Sequence, residues 1–171
     1  DIERTAQETA GRVNGRFGEA NWTPIRYVNR SYGRTALAGL YRAADVGLVT
    51  PFRDGMNLVA KEYVAAQDPK DPGVLVLSRF AGAAAELDGA MLVNPYDCEG
   101  VARAIGKALD MPREERIERW RRNWARLDDN SIEDWAERFL GALEDSRTTL
   151  AGRLLGFMKS SDQRFGEGRP R

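Results

Sequence analysis

The sequence predicts an α/β protein built on an open parallel sheet with helices on both faces. Three observations carry that prediction. Short apolar, β-branched runs alternate with longer segments of helical periodicity, the pattern of βαβ units. The run Val74-Leu75-Val76-Leu77 is apolar at every position, as strands buried on both faces are. Val46-Gly47-Leu48-Val49-Thr50 leads straight into Pro-Phe-Arg-Asp-Gly and then into a helical pattern. In open α/β sheets, ligands bind at such strand-to-helix turns.

The elements follow in order. Ile2, Ala6, Thr9, Ala10 and Val13 recur at helical spacing over residues 1–17, and Gly15 and Gly18 end the pattern. Pro24 to Asn29 reads as a short strand. Ser31 is placed to cap a helix over Thr35 to Ala44, with Ala36, Leu37, Leu40, Tyr41 and Ala44 as its inner stripe. Val46 to Thr50 is a second strand and Met56 to Gln67 a helix. Pro69 to Gly73 is a loop, and Val74 to Ser78 is a third strand. Ala81 to Leu87 is a short helical turn of small residues, and Ala90 to Pro95 a fourth strand. Three helices close the pattern, Cys98 to Leu109, Arg113 to Leu127 and Ile132 to Leu143. Val101, Ile105 and Leu109 line up on the first, and Asp129, Asn130 and Ser131 are capping candidates for the last. Beyond Ser146 the apolar content falls away and disorder is expected. The expected division is therefore a partial Rossmann-like domain over 1–145 and a tail over 146–171. Four strands are fewer than such sheets usually hold. The start at Asp1, without Met and directly in a helical pattern, reads as part of a longer polypeptide.

Composition narrows the function. With 171 residues, 42% hydrophobic and 30% charged, the chain suits a soluble domain with a real core. Lys plus Arg and Asp plus Glu are both 26, a balance that argues against a general nucleic-acid binder. With 0 histidines, no imidazole acid, base or metal ligand comes from this chain. The single Cys98 has no disulfide partner and reads as an inert thiol. No apolar run is long enough for a membrane span, and no signal peptide is visible. A cytoplasmic location is expected.

The turn and helix over residues 53–62 hold the candidate chemistry. At about 100° per residue, Glu62 falls between Leu58, Val59, Ala65 and Ala66. Ala60, Tyr63 and Val64 are apolar too, so the helix is expected to be buried nearly all round. A carboxylate there must meet a cation, hydrogen-bond donors or a ligand. One reading makes Asp54 a turn residue and pairs Glu62 with Lys61, Arg53 or an arginine across the sheet. The other makes Glu62 an acceptor for ribose hydroxyls and Asp54 an acceptor for sugar hydroxyls. The free amides of Met56, Asn57 and Leu58 would then face a phosphate, which Gly55 lets approach closely.

Other candidates are weaker. The turn Ser78 to Ala84 also follows a strand, and its amides are candidates for the same cleft, although small residues there usually serve packing. Tyr32 follows the first expected strand and is placed to flank a base. Lys61 reads first as structural. Trp22, Trp120, Trp124 and Trp135 read as structural, with Trp120 and Trp124 forming one i, i+4 ridge. The arginine-rich stretch from Arg113 to Arg126 reads as a solvated amphipathic face.

The string Asp54-Gly55-Met56-Asn57-Leu58-Val59-Ala60-Lys61-Glu62, within the gap-free stretch Ala44 to Gln67, closely resembles the trehalose-6-phosphate synthase family. The resemblance continues through Pro72 to Ala84 and Leu92 to Asp97, and upstream through Gly11 to Gly18 and Trp22-Thr23-Pro24. It covers about residues 1–145. Phe52, where the family commonly has Leu, is a mild departure.

This resemblance implies a retaining glycosyltransferase of two Rossmann-like domains (the GT-B type), of which this chain is part of the C-terminal, donor-binding one. The implied reaction moves glucose from UDP-glucose to glucose 6-phosphate. It implies that Glu62 binds the ribose hydroxyls and that Leu58, Val59, Ala60, Lys61 and Glu62 line the UDP site. Asp54, the implied catalytic residue, would meet the transferred glucose and diphosphate together with Gly55, Met56 and Asn57. Tyr32 would sit beside the uracil through its backbone. No cofactor and no metal ion are expected. The implied partners are the donor UDP-glucose and the acceptor glucose 6-phosphate, the latter mainly through an N-terminal domain outside this sequence. That domain, and an Arg/Lys pair that grips the diphosphate, are expected to lie upstream, so turnover by this chain alone is not expected. A homo-oligomer is compatible with the resemblance; nucleic acid and membrane are not expected partners. The sequence does not fix the base, so GDP or ADP remain open. Another sugar-nucleotide transferase and a non-catalytic regulatory paralogue are the alternatives; intact Asp54 and Glu62 favour catalysis.

Overall fold

The computed structural model of the protein describes residues 2–129 and 134–146. They fall into two compact units, Asp1–Leu37 and Ala38–Arg171.

The first unit is carried by helix α1 (Ile2–Phe17). The segment expected as a strand, Pro24 to Asn29, is not one. Its backbone is held by a side chain instead. The Asn14 amide donates to the Ile25 carbonyl at 2.8 Å, and its oxygen accepts from the Ile25 amide at 2.9 Å. A fork of this kind satisfies the backbone groups of Ile25 as a neighbouring strand would. Asn29 Nδ2 reaches Glu3 on the same helix at 2.5 Å.

Helix α2 (Arg34–Arg42) follows. It begins at Arg34 with the Leu37 amide bonded to the Gly33 carbonyl, so Ser31 is not its cap. Leu37 and Tyr41 are its half-buried residues, while Leu40 stays 53% exposed.

The second unit is a parallel sheet in the order β1-β2-β3, formed by β1 (Val46–Val49), β2 (Val74–Ser78) and β3 (Met91–Val93). Three strands are therefore present among the described residues, not four. Val46 pairs with Val74, and Val76 with Met91. Helix α3 (Leu58–Ala66) connects β1 to β2, and a single 3₁₀ turn (Gly82–Ala85) lies between β2 and β3. Helices α4 (Cys98–Leu109) and α5 (Arg113–Asp128) follow, with a further helical stretch over 134–146. The start of the helix expected at Ile132, the caps Asn130 and Ser131, and the tail beyond Ser146 lie outside the described residues.

Every residue of β2 is buried. Leu75 and Leu77 point into one core with Ala60, Tyr63 and Val64 of α3. Val74 and Val76 point into the other, with Ala104 and Ala108 of α4. This is the two-sided burial that the apolar run anticipates. On α4 the buried positions are Ala104 and Ala108, and the expected row end Leu109 is 61% exposed.

Helix α5 is docked by polar groups as much as by its aromatic ridge. Trp120 Nε1 donates to the Val64 carbonyl at 3.0 Å, and its ring stacks on Trp124 at 5.6 Å. Arg116 bonds the Pro72 carbonyl and Asp71, Arg113 the Lys70 carbonyl, and Arg119 the Gly89 carbonyl. The arginine-rich face expected to be solvated thus fastens two loops. The buried Asn123 accepts from the Gly89 amide at 2.8 Å, where a Cβ on Gly89 would strike the Arg119 carbonyl. Buried Gln67 links the Tyr41 carbonyl to the Gly73 amide.

Candidate functional site

β1 ends where Pro51 interrupts the ladder, and the chain turns through Asp54 into α3. The Asp54 carboxylate organises this turn. One oxygen accepts from the Met56 amide at 3.0 Å and the other from Asn57 Nδ2 at 2.9 Å. Asn57 takes the left-handed conformation, φ 76°, which asparagine tolerates better than most residues. From there its Oδ1 accepts from the Ala60 amide at 2.9 Å and caps α3. The Met56 amide, first among the causes, and the Asn57 side chain hold the Asp54 carboxyl below the usual carboxylate value.

The second glycine turn supports the first. Asp54 forms a parallel bridge with Ala81, and the Asp54 amide donates to the Phe80 carbonyl at 3.3 Å. The Gly82 amide donates to the Asp54 carbonyl at 3.0 Å, and the Ala83 amide to the Met56 carbonyl at 2.6 Å. A Cβ on Gly82 would collide with the Gly55 carbonyl, so only glycine lets the two turns close. The amides offered by the sequence for a ligand at residues 78–84 are therefore engaged. The Phe80 amide goes to Ser78 Oγ and the Arg79 amide to Val93.

The expectation that the amides of Met56, Asn57 and Leu58 are all free is also corrected. Asp54 takes that of Met56. The cap reaches Ala60, which leaves the first-turn amides of Leu58 and Val59 at the helix N-terminus.

The orientation of α3 differs most from expectation. The helix is not buried all round. Ala60, Tyr63 and Val64 face the sheet, and Glu62 is exposed. Beside it on the open face, Leu58 is 59% and Val59 45% exposed. Periodicity placed Glu62 correctly among apolar neighbours, but that apolar stripe faces outward. Tyr63 fixes which side is inside. Its ring lies where a Cβ on Gly47 would be, and its hydroxyl donates to the Ala44 carbonyl at 2.9 Å. Burial pushes that phenol well up.

Glu62 pairs with neither Lys61 nor an arginine. The Tyr41 phenol lies near its carboxylate and is raised first by burial and then by the Glu62 charge. Tyr41 is itself held edge-on to Tyr63 at 6.3 Å. The sequence marked Tyr41 only as part of an inner stripe; its meeting with Glu62 depends on the packing of α2 residues against α3. Lys61 turns away to Glu86 at 2.6 Å. Ala60 is fully buried with its amide spent on the cap, so it serves from behind. Tyr32 belongs to the first unit, half-buried beneath the Arg30 guanidinium at 4.9 Å.

Three exposed aromatic rings gather at the carboxyl ends of the strands. Phe52 lies 4.7 Å from Tyr96, and Phe80 6.1 Å. Cys98 is free and exposed at the start of α4. Among the described residues no three His, Cys, Asp or Glu side chains group together as a metal site would need. No helix of the described residues is long and apolar enough to cross a membrane. The arrangement offers a pre-shaped turn, two helix amides and an exposed carboxylate on an apolar helix face. Together these can hold a polar ligand that carries both hydroxyls and negative charge.

The profile of glycosyltransferase family 20 matches residues 1–145. The chain is 62% identical over 145 residues to trehalose-6-phosphate synthase of Sinorhizobium fredii, covering 85% of this chain and 31% of that protein. It is similar to a UDP-forming α,α-trehalose-phosphate synthase from Burkholderia xenovorans, solved in complex with glucose-6-phosphate. There the identity is 56% and the TM-score 0.82, over 84% of this chain and 32% of the other. An E. coli chain solved bound with UDP-2-fluoro glucose is 53% identical with a TM-score of 0.81, over 84% and 32%. The chain spans about a third of the length of the relatives it matches.

Proposed function

The chain belongs to glycosyltransferase family 20, and from that premise we propose that it is the donor-binding portion of an α,α-trehalose-phosphate synthase. The reaction passes glucose from UDP-glucose to glucose 6-phosphate with retained configuration. One observation carries this reading: Glu62 stands exposed on α3, in line with exposed Leu58 and Val59, just behind a helix N-terminus that Asp54 and Asn57 hold in shape. The relative solved with UDP-2-fluoro glucose and the one solved with glucose-6-phosphate support the same pair of substrates.

The roles follow from chemistry. Glu62, oriented by Tyr41, accepts both ribose hydroxyls. Leu58 and Val59 give the nucleoside an apolar face, and their amides meet the diphosphate. Ala60 and Lys61 support that wall from behind, the latter through Glu86. Gly55, Met56 and Asn57 bring the backbone to the transferred glucose, and Asp54, ionised at neutral pH, accepts from its hydroxyls. In the transfer, the bond from the anomeric carbon to the diphosphate oxygen breaks and the acceptor hydroxyl attacks on the same face. The acceptor proton passes to the departing phosphate, whose charge is met by fixed dipoles. The expected division into a donor domain over 1–145 and a tail fits this reading. Because the chain spans about a third of its relatives' length, these 171 residues alone are expected to give no turnover.

Titration calorimetry with UDP and UDP-glucose tests the proposal, with Glu62→Ala alongside. Losing two hydrogen bonds to a charged acceptor is expected to weaken UDP at least tenfold, since each contributes about 1.5–3 kcal/mol. A folded chain that binds neither ligand, or equal binding by the variant, would sink the donor assignment. Tighter binding of GDP or ADP would reassign the base. Trehalose 6-phosphate made by the isolated chain would overturn the inactivity.

A further inference from the structure

We propose that the groove between α4 and the open edge of β3 is an anion site for a small phosphate monoester, separate from the Leu58–Glu62 face. The groove has a volume of about 290 Å³. Three cations line it: Arg79 from the turn after β2, and Arg103 and Lys107 from α4. Leu92 and Ala104 form part of its apolar floor. Apart from the Arg79 backbone amide, which ties the second turn to Val93, none of these groups belongs to the site described above.

Two observations separate this groove from an ordinary solvated face. Arg103 and Lys107 stand at i and i+4, one above the other on the helix wall. A like-charge pair at that spacing is unfavourable in an isolated helix. An acidic residue at either position would have relieved it. Arg79 then adds a third positive charge from the sheet side. Arg103 is balanced by Glu99 at 3.4 Å and by Asp97, which also lines the groove, at 3.8 Å, so two carboxylates stand against the three cations. Among the described residues neither Arg79 nor Lys107 has an ion pair. The local balance is therefore positive in a chain whose overall charge is +0.

Size and shape define the ligand. The volume is at the bottom of the ~300–1,000 Å³ range of small-molecule sites. That suits a phosphate carried on a group of about sugar size. A phosphate dianion matches two cations without an ion pair, beside a third, Arg103, that Asp97 and Glu99 already hold, and the planar Arg79 head is suited to grip it in bidentate fashion. The apolar floor would take the face of the carbon skeleton. β3 is an edge strand among the described residues, and Met91, Leu92 and Val93 are among the lining residues.

The test is an amide NMR titration of the 171-residue chain with inorganic phosphate, with sodium chloride exchanged to keep ionic strength constant. Saturable shifts are expected at Arg79, Leu92, Arg103 and Lys107. The double variant Arg79→Gln/Lys107→Gln is expected to weaken phosphate at least tenfold, while Lys107→Arg retains it. All replaced side chains are exposed. Lys107→Glu, a single change on an exposed helix position, is a second variant expected to remove saturation. Shifts that never saturate, that persist unchanged in either charge-removing variant, or that map only to Leu58–Glu62 would overturn the proposal.

Discussion

Asn57 Nδ2 donates to the Asp54 carboxylate at 2.9 Å while its Oδ1 accepts from Ala60, so one side chain ties the turn to the helix it starts. The left-handed backbone at Asn57, φ 76°, aims both ends of the amide at once. Asn57→Ala removes the cap and leaves a Cβ in an unfavourable region. The expected loss is about 1–2 kcal/mol in urea unfolding. Asn57→Gly restores the backbone freedom and is expected to lose clearly less. Equal losses would show that the left-handed conformation carries no weight.

The Asp54 carboxyl titrates below its ordinary value because the Met56 amide and then the Asn57 side chain bond its charged form. A depressed folded-state value adds stability that is present above the unfolded value of about 3.9 and lost as pH falls through the lower folded one. The Met56 amide resonance is therefore expected to move in the acid range below pH ~4, and Asp54→Asn to remove that step. A Met56 shift that survives in the variant would assign it to another group.

Gly82→Ala drives a methyl group into the Gly55 carbonyl. The turn must move away, at a cost of about 1–3 kcal/mol for overpacking. UDP binding is expected to fall by more than for Gly106→Ala, where a Cβ meets nothing within 4 Å. Thermal melts and calorimetry on the two variants decide this, and equal UDP affinity in both would disconnect the two turns.

Tyr41→Phe deletes the hydroxyl near Glu62 and leaves the ring against Tyr63. Stability is expected to change by about 1 kcal/mol or less. UDP affinity is expected to drop several-fold, because Glu62 loses its orientation. An unchanged affinity would mean that the carboxylate finds the ligand unaided.

Asn123→Leu leaves the Gly89 amide without its acceptor in a buried place. A buried unsatisfied donor costs about 1–3 kcal/mol. The loss is expected in urea unfolding with UDP affinity untouched, and a stability within error of the parent would assign Gly89 another acceptor.

How far the sequence foretold the structure differs from element to element. β2 was readable because both its faces are buried, so every position had to be apolar. The segment 24–29 has the composition of a strand but is held by Asn14, eleven residues before Ile25, and periodicity carries no information about such a contact. Glu62 shows a different limit. In a helix that is apolar nearly all round, spacing gives relative angles but not which side is inside. The sheet decided that by accepting Tyr63 over Gly47. The strand-turn-helix arrangement over Asp54 to Glu62 was recognisable, while its support by Gly82 and the nearness of Tyr41 depend on tertiary packing.

The strand that serves both cores has a thermodynamic consequence. Val74 and Val76 belong to one layer, Leu75 and Leu77 to the other, and successive residues of a single backbone join them. Neither layer can loosen without pulling on the ladder that the other needs. The α3 side and the α4 side must therefore melt in one cooperative transition, and a cavity opened at Val76 is felt at α3 on the opposite face of the sheet.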